Sequence, residues 1–385
     1  MKGYRLNEVF AACPPGFESV LLAEINDLDL PLTKAPKQVI GGVELDCPDR
    51  QTWSQVAAET NLWLRSATRV LARLARFPVH HLAQLDKRSR RIDWSEVLPT
   101  DCRLKVEASC HRSRIYHSDA AATRVFKAAA DGAGAHPGGG TNEDHFKILV
   151  RIERDLCTVS VDTSGAPLYQ RGAKLETAKA PLRENLAAGL LQLADWHPAA
   201  GEALMDPMCG SGTFLLEAVG LACRRAPGAQ RHFSFENLKM HDPERFAAQK
   251  EKAEDQALSV SPVPISGSDN SGGAVGATQR NLERAGFSKL ATVQRLDISE
   301  VRPSAATGLM IVNPPYGKRL GRESRDQRQL YGELGQVFRE QFAGWRLALL
   351  TAHGQLALAT GLDFKQVSVA IPHGGLRVKL YRHEP

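Results

Sequence analysis

The chain has 385 residues and a formal net charge of +6, and 43% of its residues are hydrophobic and 24% charged. This length predicts two domains or three, and this composition argues against long disordered stretches. The sequence contains no apolar run of the roughly eighteen residues that a membrane span needs. It also has no apolar signal segment behind its first residues, so we expect a cytoplasmic protein without a membrane partner.

The cysteines and histidines predict neither disulfides nor a metal site. The seven cysteines are scattered and never form a C-x-x-C pair, which is typical of reduced thiols in a cytoplasmic protein. None of the twelve histidines stands at a ligand spacing from these cysteines, so we expect no bound metal.

The first 160 residues mix predicted helices and strands, as in an α+β domain. The predicted elements are a helix over 17–28, short strands around Gly41 and Gly42, a strand over 104–108, a helix over 119–130 and strands over 148–152 and 158–161. The glycine-rich run 132–140 could meet a phosphate through its backbone amides. Its composition is more typical of a loop tip, and we interpret it as a loop.

A long amphipathic helix is predicted from Ser54 to Phe77, with apolar residues at a 3.6-residue period. Four arginines, at positions 65, 69, 73 and 76, would share one side of it within roughly 80° of arc. Between residues 65 and 91 the chain has eight Lys or Arg residues and one acid. Two interpretations remain open, a solvated helix face or a contact with an RNA backbone. The second makes Arg65, Arg69 and Arg73 candidate RNA-binding residues.

Residues 164–180 are polar and turn-rich, which is typical of a linker. Beyond a helix near Pro181, strands alternate with helices, the βαβ signature of an α/β fold with a parallel sheet. The seven predicted strands cover 203–205, 263–266, 292–295, 309–312, 346–350, 366–371 and 378–382. The last two would form an antiparallel hairpin at the edge of the sheet.

A glycine turn connects the first of these strands to a helix. Its residues are Asp206, Pro207, Met208, Cys209, Gly210, Ser211, Gly212 and Thr213. The two glycines let the backbone approach a ligand, and the helix offers its N-terminal amides. Asp206 is placed to meet the ammonium group of a cofactor, whereas Cys209 is interpreted as a packing residue because no base accompanies it. The turn resembles the one that binds S-adenosylmethionine in Rossmann-like methyltransferases.

Two later strand ends carry further candidates for cofactor binding. Asp269, with Asn270 beside it, is placed to bind ribose hydroxyls. Its distance from the glycine turn exceeds the roughly 20 residues of the dinucleotide pattern, which predicts an insertion over about 225–260. Asp297 could accept a hydrogen bond from an adenine amino group while Ile298 packs on the ring. For both acids a helix cap is the alternative interpretation.

The run Asn313-Pro314-Pro315-Tyr316 follows the apolar strand 309–312, so it should lie at the same sheet edge as the glycine turn. An exocyclic amine on a purine is a poor nucleophile because its lone pair is delocalised into the ring. The Asn313 side-chain oxygen and the Pro314 carbonyl could accept both amine hydrogens and free that lone pair. Pro315 would stiffen the turn and Tyr316 would stack on the base. The basic residues that follow, Lys318, Arg319 and Arg322, are candidates for contact with substrate phosphates.

These motifs together resemble the THUMP-containing guanine-N2 RNA methyltransferases, most of all the bacterial members that act on large-subunit ribosomal RNA. The resemblance extends to Pro15-Gly16-Phe17-Glu18, Leu168-Tyr169-Gln170-Arg171-Gly172 and Ala180-Pro181-Leu182-Arg183-Glu184-Asn185, although Ser271 stands where the family often has an acid. It implies a ferredoxin-like part over 1–60, a THUMP RNA-binding domain over 61–163, a linker over 164–180 and a Rossmann-like, class I methyltransferase domain over 181–385. It also implies guanine over adenine and RNA over DNA.

The resemblance implies S-adenosylmethionine as cofactor and ribosomal RNA as the favoured partner, with tRNA second. Longer bacterial relatives carry a second methyltransferase domain beyond the position of Pro385, so we expect only the guanine-N2 activity here. Three alternatives stay open: a tRNA guanine-N2 methyltransferase, an adenine-N6 or glutamine-N5 methyltransferase, and a non-catalytic RNA-binding assembly factor. The complete set of motifs argues against the last.

Overall fold

A computed structural model describes residues 6–138, 145–177, 182–315 and 322–385, and the side chains of the last range from 326 onward. The chain divides into two compact units. The first comprises Met1–Cys13, Leu21–Leu168 and Arg231–Glu251, and the second comprises Pro14–Val20, Tyr169–Gln230 and Lys252–Pro385. Within the described residues, no helix has the length and apolarity to cross a membrane. All seven cysteines lie in these ranges and are free thiols, as predicted.

The first unit is built around one mixed sheet. Its strands are β1 (Glu8–Ala12), β2 (Lys37–Val39), β3 (Gly42–Asp46), β4 (Arg69–Pro78), β5 (Arg103–His111), β6 (His136–Pro137), β7 (Phe146–Glu153) and β8 (Leu156–Asp162). They are ordered β2-β3-β1-β4-β8-β7-β5-β6. The helices are α1 (Glu18–Asn26), α2 (Arg50–Trp63), α3 (Leu82–Ser89), α4 (Trp94–Val97) and α5 (Ser118–Ala133). This order confirms the predicted α+β class, and the division into ferredoxin-like and THUMP parts stays a prediction.

The long helix predicted over 54–77 is wrong. Helix α2 ends at Trp63, and strand β4 begins at Arg69. The register of β4 against β8 shifts between Arg73 and Ala75, so Leu74 and Ala75 are both buried. A bulge of this kind inserts one residue into the strand's alternation of two. The arginine spacing of four and then three residues therefore imitates a helical period.

The arginines of β4 do not form a free basic face either, because acids pair with them, and their contact with RNA stays a prediction. Arg73 forms ion pairs with Glu8 and Glu44, and its side chain is 11% exposed. Arg69 pairs with Asp162 and is 19% exposed. Arg65 as a whole residue is only 8% exposed. The acids come from strands far away in sequence, and their ion pairs hold these partly buried guanidinium groups in place.

The second unit contains a sheet ordered β11-β10-β9-β12-β13-β16-β14. Its strands are β9 (Ala203–Asp206), β10 (Ile265–Asp269), β11 (Thr292–Arg295), β12 (Gly308–Val312), β13 (Trp345–Thr351), β14 (Lys365–Gln366), β15 (Ile371–His373) and β16 (Leu376–His383). Its helices are α6 (Glu184–Leu193), α7 (Thr213–Ala222), α9 (Gly272–Arg284), α10 (Arg322–Gln341) and α11 (Gly354–Ala359). Helix α8 (Pro243–Asp255) lies in the insertion, and its residues up to Glu251 belong to the first unit. The seven strands along this path confirm the predicted Rossmann-like sheet.

The centre of this sheet is parallel and buried on both faces. Strand β12 is buried along its whole length and pairs in parallel with β9 and β13. A Cβ on Gly308 would lie 2.6 Å from the Trp345 ring, so the glycine makes room for this indole. Because β10 and β12 flank β9 on opposite sides, the strand order reverses at β9. Open α/β sheets bind ligands at the carboxyl ends of the strands at such a reversal.

Two details differ from the predicted layout. The predicted strand 366–371 is split into β14 and β15, and β16 lies between β13 and β14, so β14 and not the hairpin forms the sheet edge. The insertion before β10 exists as predicted, and its residues 231–251 belong to the first compact unit.

Candidate active site

The carboxyl ends of β9, β10 and β12 open into a cleft of about 780 Å³ in the second unit. This cleft brings together ten of the predicted site residues: Pro207, Met208, Gly210, Asp269, Asn270, Asp297, Ile298, Asn313, Pro314 and Pro315. The glycine turn and the asparagine-proline run therefore share one cleft, as their positions after parallel strands predict.

The glycine turn requires both of its glycines. Gly210 and Gly212 have φ values of 55° and 80°, in the left-handed region that a Cβ opposes. A Cβ on Gly212 would also lie 2.5 Å from Cγ2 of Thr278. The Thr278 hydroxyl donates to the Gly210 carbonyl at 2.8 Å, so helix α9 braces the turn. Helix α7 begins directly after it and turns its free N-terminal amides toward the turn.

Asp269 ties the glycine turn to the end of β10. One carboxylate oxygen accepts from the Gly210 amide at 3.0 Å and the other from the Ser271 amide at 2.9 Å. The cap of α9 is Ser271, whose hydroxyl accepts from the Ala274 amide. Asp269 is therefore not the helix cap that the alternative interpretation predicted. A carboxylate has about four acceptor positions, so this one can still accept from a ligand.

Asp206 is 2% exposed and accepts a hydrogen bond from the Met208 amide at 3.2 Å. Burial, together with the charge of nearby Asp269, raises the pKa of this carboxyl to about 8. Its neighbours Pro207 and Met208 line the cleft. A cation brought close to Asp206 would favour the ionised form, so this residue can respond to a positively charged ligand group.

The remaining residues of the turn are buried packing residues. Cys209 is 6% exposed, burial raises the pKa of its thiol, and its Sγ lies 3.8 Å from the Thr278 hydroxyl. A protonated, enclosed thiol is no nucleophile, which agrees with its interpretation as a packing residue. Ser211 and Thr213 are 4% and 5% exposed.

At the next strand end, Asp297 accepts from the amide and the hydroxyl of Ser299 at 3.1 and 2.9 Å. It caps the short 3-10 turn Ile298–Glu300, as its alternative interpretation predicted. Ile298 is 6% exposed and packs in the core with Met205 and Met310. Both still line the cleft, so a contact with a bound ring stays a prediction.

Asn313 follows β12 directly and carries the clearest chemical signal of the cleft. Its Oδ1 is enclosed and has no hydrogen-bond partner among the described residues. A buried acceptor without a donor lowers the stability of the fold by roughly 1–3 kcal/mol. Such an acceptor is therefore typical of a site where a ligand supplies the donor. Pro314 and Pro315 line the same cleft. Tyr316, Lys318, Arg319 and the side chain of Arg322 lie outside the described residues, so their roles stay predictions.

Sequence reasoning missed Asn281, which is fully buried on α9. Its Nδ2 donates to the carbonyls of Ser211 and Glu176 at 3.0 and 2.9 Å, and its Oδ1 accepts from the Glu176 amide at 3.2 Å. It thereby joins the glycine turn to the segment 171–177, part of the predicted linker. An asparagine in a helical pattern gives no local signal for such a role.

Glu176 strengthens the same connection from the linker side. It forms ion pairs with Arg280 and Arg284 of α9 at 2.6 and 2.7 Å. The hydrogen bond from Arg280, helped by Arg284, lowers the pKa of Glu176 to about 2. This carboxylate stays ionised throughout the physiological range, so the segment remains held on α9 beside the cleft.

Comparisons with known proteins show which family and fold this chain resembles. A family described as RMKL-like, methyltransferase domain, matches residues 171–377, and the RlmL ferredoxin-like domain matches residues 8–71. A ribosomal RNA large subunit methyltransferase K/L from Methylococcus capsulatus is 35% identical over 365 residues, which are 92% of this chain and 48% of the relative. The chain spans about half the length of the curated relatives it matches.

Two solved structures resemble the whole chain. One, described as a possible methylase from Clostridium difficile 630, has a TM-score of 0.85 and 29% identity, with coverage of 100% of this chain and 99% of that one. The other, SMU.472, is classed as a methyltransferase and was crystallised with SAH. Its TM-score is 0.84 and its identity 28%, with the same coverage. The fold is thus that of class I methyltransferases, preceded by a ferredoxin-like domain.

Proposed function

The chain belongs to the family of RMKL-like methyltransferase domains, and we propose that it methylates the exocyclic N2 amine of a guanosine in large-subunit ribosomal RNA, with S-adenosylmethionine as donor. One observation carries the proposal. The enclosed Asn313 Oδ1, which has no donor among the described residues, belongs to a residue that lines the same cleft as Gly210 and Asp269. An acceptor placed beside a cofactor turn is what transfer to an amine requires.

The residues of the cleft fit a nucleoside cofactor with an amino-acid tail. The volume of about 780 Å³ lies within the range of small-molecule sites. We assign the amino-acid tail to the glycine turn and Asp206, the ribose to Asp269 with Asn270, and the adenine to Asp297 with Ile298. S-adenosylmethionine would supply an electrophilic methyl group there. The complex of SMU.472 with SAH, the demethylated form of this donor, supports the assignment.

The chain's own residues would act on the amine. Asn313 Oδ1 and the Pro314 carbonyl each accept one amine hydrogen, which draws the nitrogen toward tetrahedral geometry and localises its lone pair. Pro315 limits the motion of these acceptors, so little reorganisation is needed when the amine arrives. Tyr316, outside the described residues, would stack on the base. The methylated amine then loses a proton readily to water, so this proposal needs no side-chain base.

The choice of substrate rests on two different supports. The relative from Methylococcus capsulatus is named for large-subunit ribosomal RNA, which supports that RNA over tRNA. The motif resemblance supports guanine N2 over adenine N6 or glutamine N5. The pairing of an intact cleft with the enclosed acceptor of Asn313 argues against a non-catalytic assembly factor.

Nucleoside mass spectrometry tests the proposal. The protein is incubated with S-adenosylmethionine carrying a labelled methyl group and with in vitro transcribed large-subunit ribosomal RNA, which has no modifications. We expect label in N2-methylguanosine. Label in N6-methyladenosine would identify the adenine alternative, and label only with tRNA would identify the tRNA alternative. A lack of label in every substrate, with no thermal stabilisation by S-adenosylhomocysteine, would favour the non-catalytic factor.

A further inference from the structure

A second cleft, of about 760 Å³, lies in the same unit. It is lined by the segment 169–177, by the start of α6 and by the hairpin of β15 and β16. Thr177 lines both this cleft and the active-site cleft, so the two adjoin along one stretch of chain. The proposed methyl transfer gives this second cleft no role.

An exposed cation is held in place at its mouth. The guanidinium of Arg183 lies 4.9 Å from the centre of the Tyr169 ring, in a cation–π arrangement. Stacking of this kind restrains the planar group while its N–H edges stay available to an anion. Two other cations of the lining are already paired, Arg171 with Glu217 and Lys174 with Glu184. Among the described residues, Arg183 therefore gives the cleft a positive charge that no acid pairs with.

His373 contributes a buried nitrogen in need of a partner. The residue is 8% exposed, and its Nε2 has no hydrogen-bond partner among the described residues. Burial lowers the pKa of His373, and the charges of Arg183 and Lys174 lower it further, so the imidazole is neutral near pH 7. A neutral imidazole can donate one hydrogen bond to an oxygen of a ligand. Leaving that nitrogen enclosed and unpaired would cost stability.

The hairpin tip and the apolar part of the lining leave space for a ligand that enters the second cleft from solvent. Gly374 and Gly375 form the tip of the hairpin with φ values of 57° and 77°, and no atom of the described residues lies within 4 Å of the position of a Cβ on either. Left-handed values at two central residues are typical of a tight hairpin turn. Leu175, also in the lining, is 70% exposed and offers an apolar surface.

We propose that this second cleft binds a nucleotide of the RNA strand next to the target guanosine, with the phosphodiester on Arg183 and His373 and the base or ribose against Leu175. The proposal rests on the proposed function, because it takes RNA as the substrate. A phosphodiester is an anion that can bind the guanidinium of Arg183, and its oxygens can accept a hydrogen bond from the buried nitrogen of His373. The volume of the second cleft suits one nucleotide. The adjoining position along Thr177 allows one strand to occupy both clefts.

The test compares Arg183→Gln with Arg377→Gln in the full chain. Arg377 is exposed on the same hairpin but is not part of the cleft lining, so it controls for the loss of one charge. Binding to unmodified large-subunit ribosomal RNA is measured at several salt concentrations, and methyl transfer to the same RNA is measured in parallel. For Arg183→Gln we expect roughly 5- to 10-fold weaker binding and a salt slope smaller by about 0.7–0.9, the value for one lost phosphate contact. Arg377→Gln should keep the wild-type slope.

His373→Phe is the second variant, since it keeps a ring of similar size and removes the nitrogens. It should weaken RNA binding by about 2- to 10-fold, the loss of one hydrogen bond. Both variants should keep the wild-type affinity for S-adenosylhomocysteine and a thermal midpoint no lower than that of the wild type, and should raise KM for RNA more than they lower kcat.

The results separate failure of this inference from failure of the proposed function. If the wild type transfers methyl groups to this RNA while both variants bind it with wild-type affinity and salt slope, the second cleft does not hold the strand. Loss of RNA binding together with loss of folding or of S-adenosylhomocysteine affinity would also overturn the inference, since it indicates a structural role. A wild type that methylates no RNA contradicts the proposed function instead.

Discussion

The Asp269 carboxylate accepts a hydrogen bond from the Gly210 amide at 3.0 Å. Through it, the acid at the end of β10 holds the glycine turn that follows β9. The same residue therefore has a structural contact on one side and faces the proposed cofactor cleft on the other. This double role leads to the first prediction.

Asp269→Asn should weaken binding of S-adenosylhomocysteine by roughly 10- to 100-fold, because hydrogen bonds to a charged acceptor contribute about 1.5–3 kcal/mol. The amide keeps the shape but loses the charge and one acceptor. Isothermal titration measures the affinity. Asp255→Asn, a change of the same type at an exposed position of α8, is the control and should bind like the wild type. Equal affinities of all three proteins would refute the role of Asp269.

Asn313→Ala should leave the affinity for S-adenosylhomocysteine nearly unchanged and lower methyl transfer by at least about 100-fold, the usual cost of removing one preorganised group that stabilises the transition state. Single-turnover assays with saturating cofactor measure the chemical step. An equal loss of cofactor affinity and of rate would contradict the assignment of Asn313 to the substrate amine.

Asp206→Asn should change how stability depends on pH. Burial raises the pKa of Asp206 to about 8 in the folded protein, above its value of 3.8 when unfolded. The stabilising contribution of the protonated Asp206 carboxyl to the free energy of unfolding is therefore complete below about pH 4 and is lost as the pH rises toward 8. The stability of the variant relative to that of the wild type should therefore increase as the pH rises from 5 to 8. Denaturant midpoints of both proteins over this pH range measure the difference. A difference between the two proteins that does not vary with pH would be inconsistent with the raised pKa.

Asp206→Ala should weaken binding of S-adenosylhomocysteine before it affects any other step, because this carboxylate is assigned to the ammonium group of the cofactor tail. Titration at a fixed pH of about 7.5 gives the affinity, and thermal unfolding shows whether the variant still folds. An unchanged affinity in a folded variant would remove Asp206 from the cofactor site.

Asn281→Ala should destabilise the protein by about 2–4 kcal/mol, because it leaves buried groups of Ser211 and Glu176 without partners. It should also weaken S-adenosylhomocysteine binding, since the glycine turn loses its brace. Arg280→Gln removes an exposed ion pair of the same segment and should have a much smaller effect on both. Thermal unfolding and titration measure the two quantities. Similar effects of the two variants would show that Asn281 has no special role.

Arg73→Met should lower the free energy of unfolding by up to about 3 kcal/mol, because Glu8 and Glu44 lose one cationic partner and keep only Arg76, whose side chain is 31% exposed. Arg73→Lys, which keeps the charge, should lower it less and remain folded. The salt slope of RNA binding by Arg73→Met, measured where the variant is folded, should match that of the wild type if Arg73 touches no phosphate. A slope smaller by about 0.7–0.9 in the folded variant would instead support the RNA-binding interpretation.

The sequence predicted a strand or turn correctly where the residues of one short segment determine its backbone conformation or burial. The strand at 309–312 is apolar at every position, which is typical of a parallel strand buried on both faces. The glycines at 210 and 212 permit left-handed backbone and the prolines at 314 and 315 restrict it, each by itself, so the turns could be located without partners. Their meeting in one cleft followed from the rule that parallel strands end at the same edge.

The sequence failed where distant strands decide the outcome. The stretch 65–77 imitates a helix because a bulge between Arg73 and Ala75 changes the spacing of the buried residues. The acids that neutralise Arg73 lie on β1 and β3, and no local pattern connects them. Asn281 was missed for the same reason, since its partners at 176 and 211 meet it only in the folded chain.

The sequence by itself determined the class of the fold and the two motifs of the proposed active site, because steric and hydrophobic constraints on glycine, proline and apolar runs act within a few residues. Only the tertiary structure decided which charged and polar groups have an ion-pair or hydrogen-bond partner. It paired the arginines of β4 with acids and gave Asn281 its partners, and it enclosed the acceptor of Asn313 with no donor among the described residues. Hydrogen bonds and ion pairs join groups that are far apart in the chain, so their outcome depends on packing.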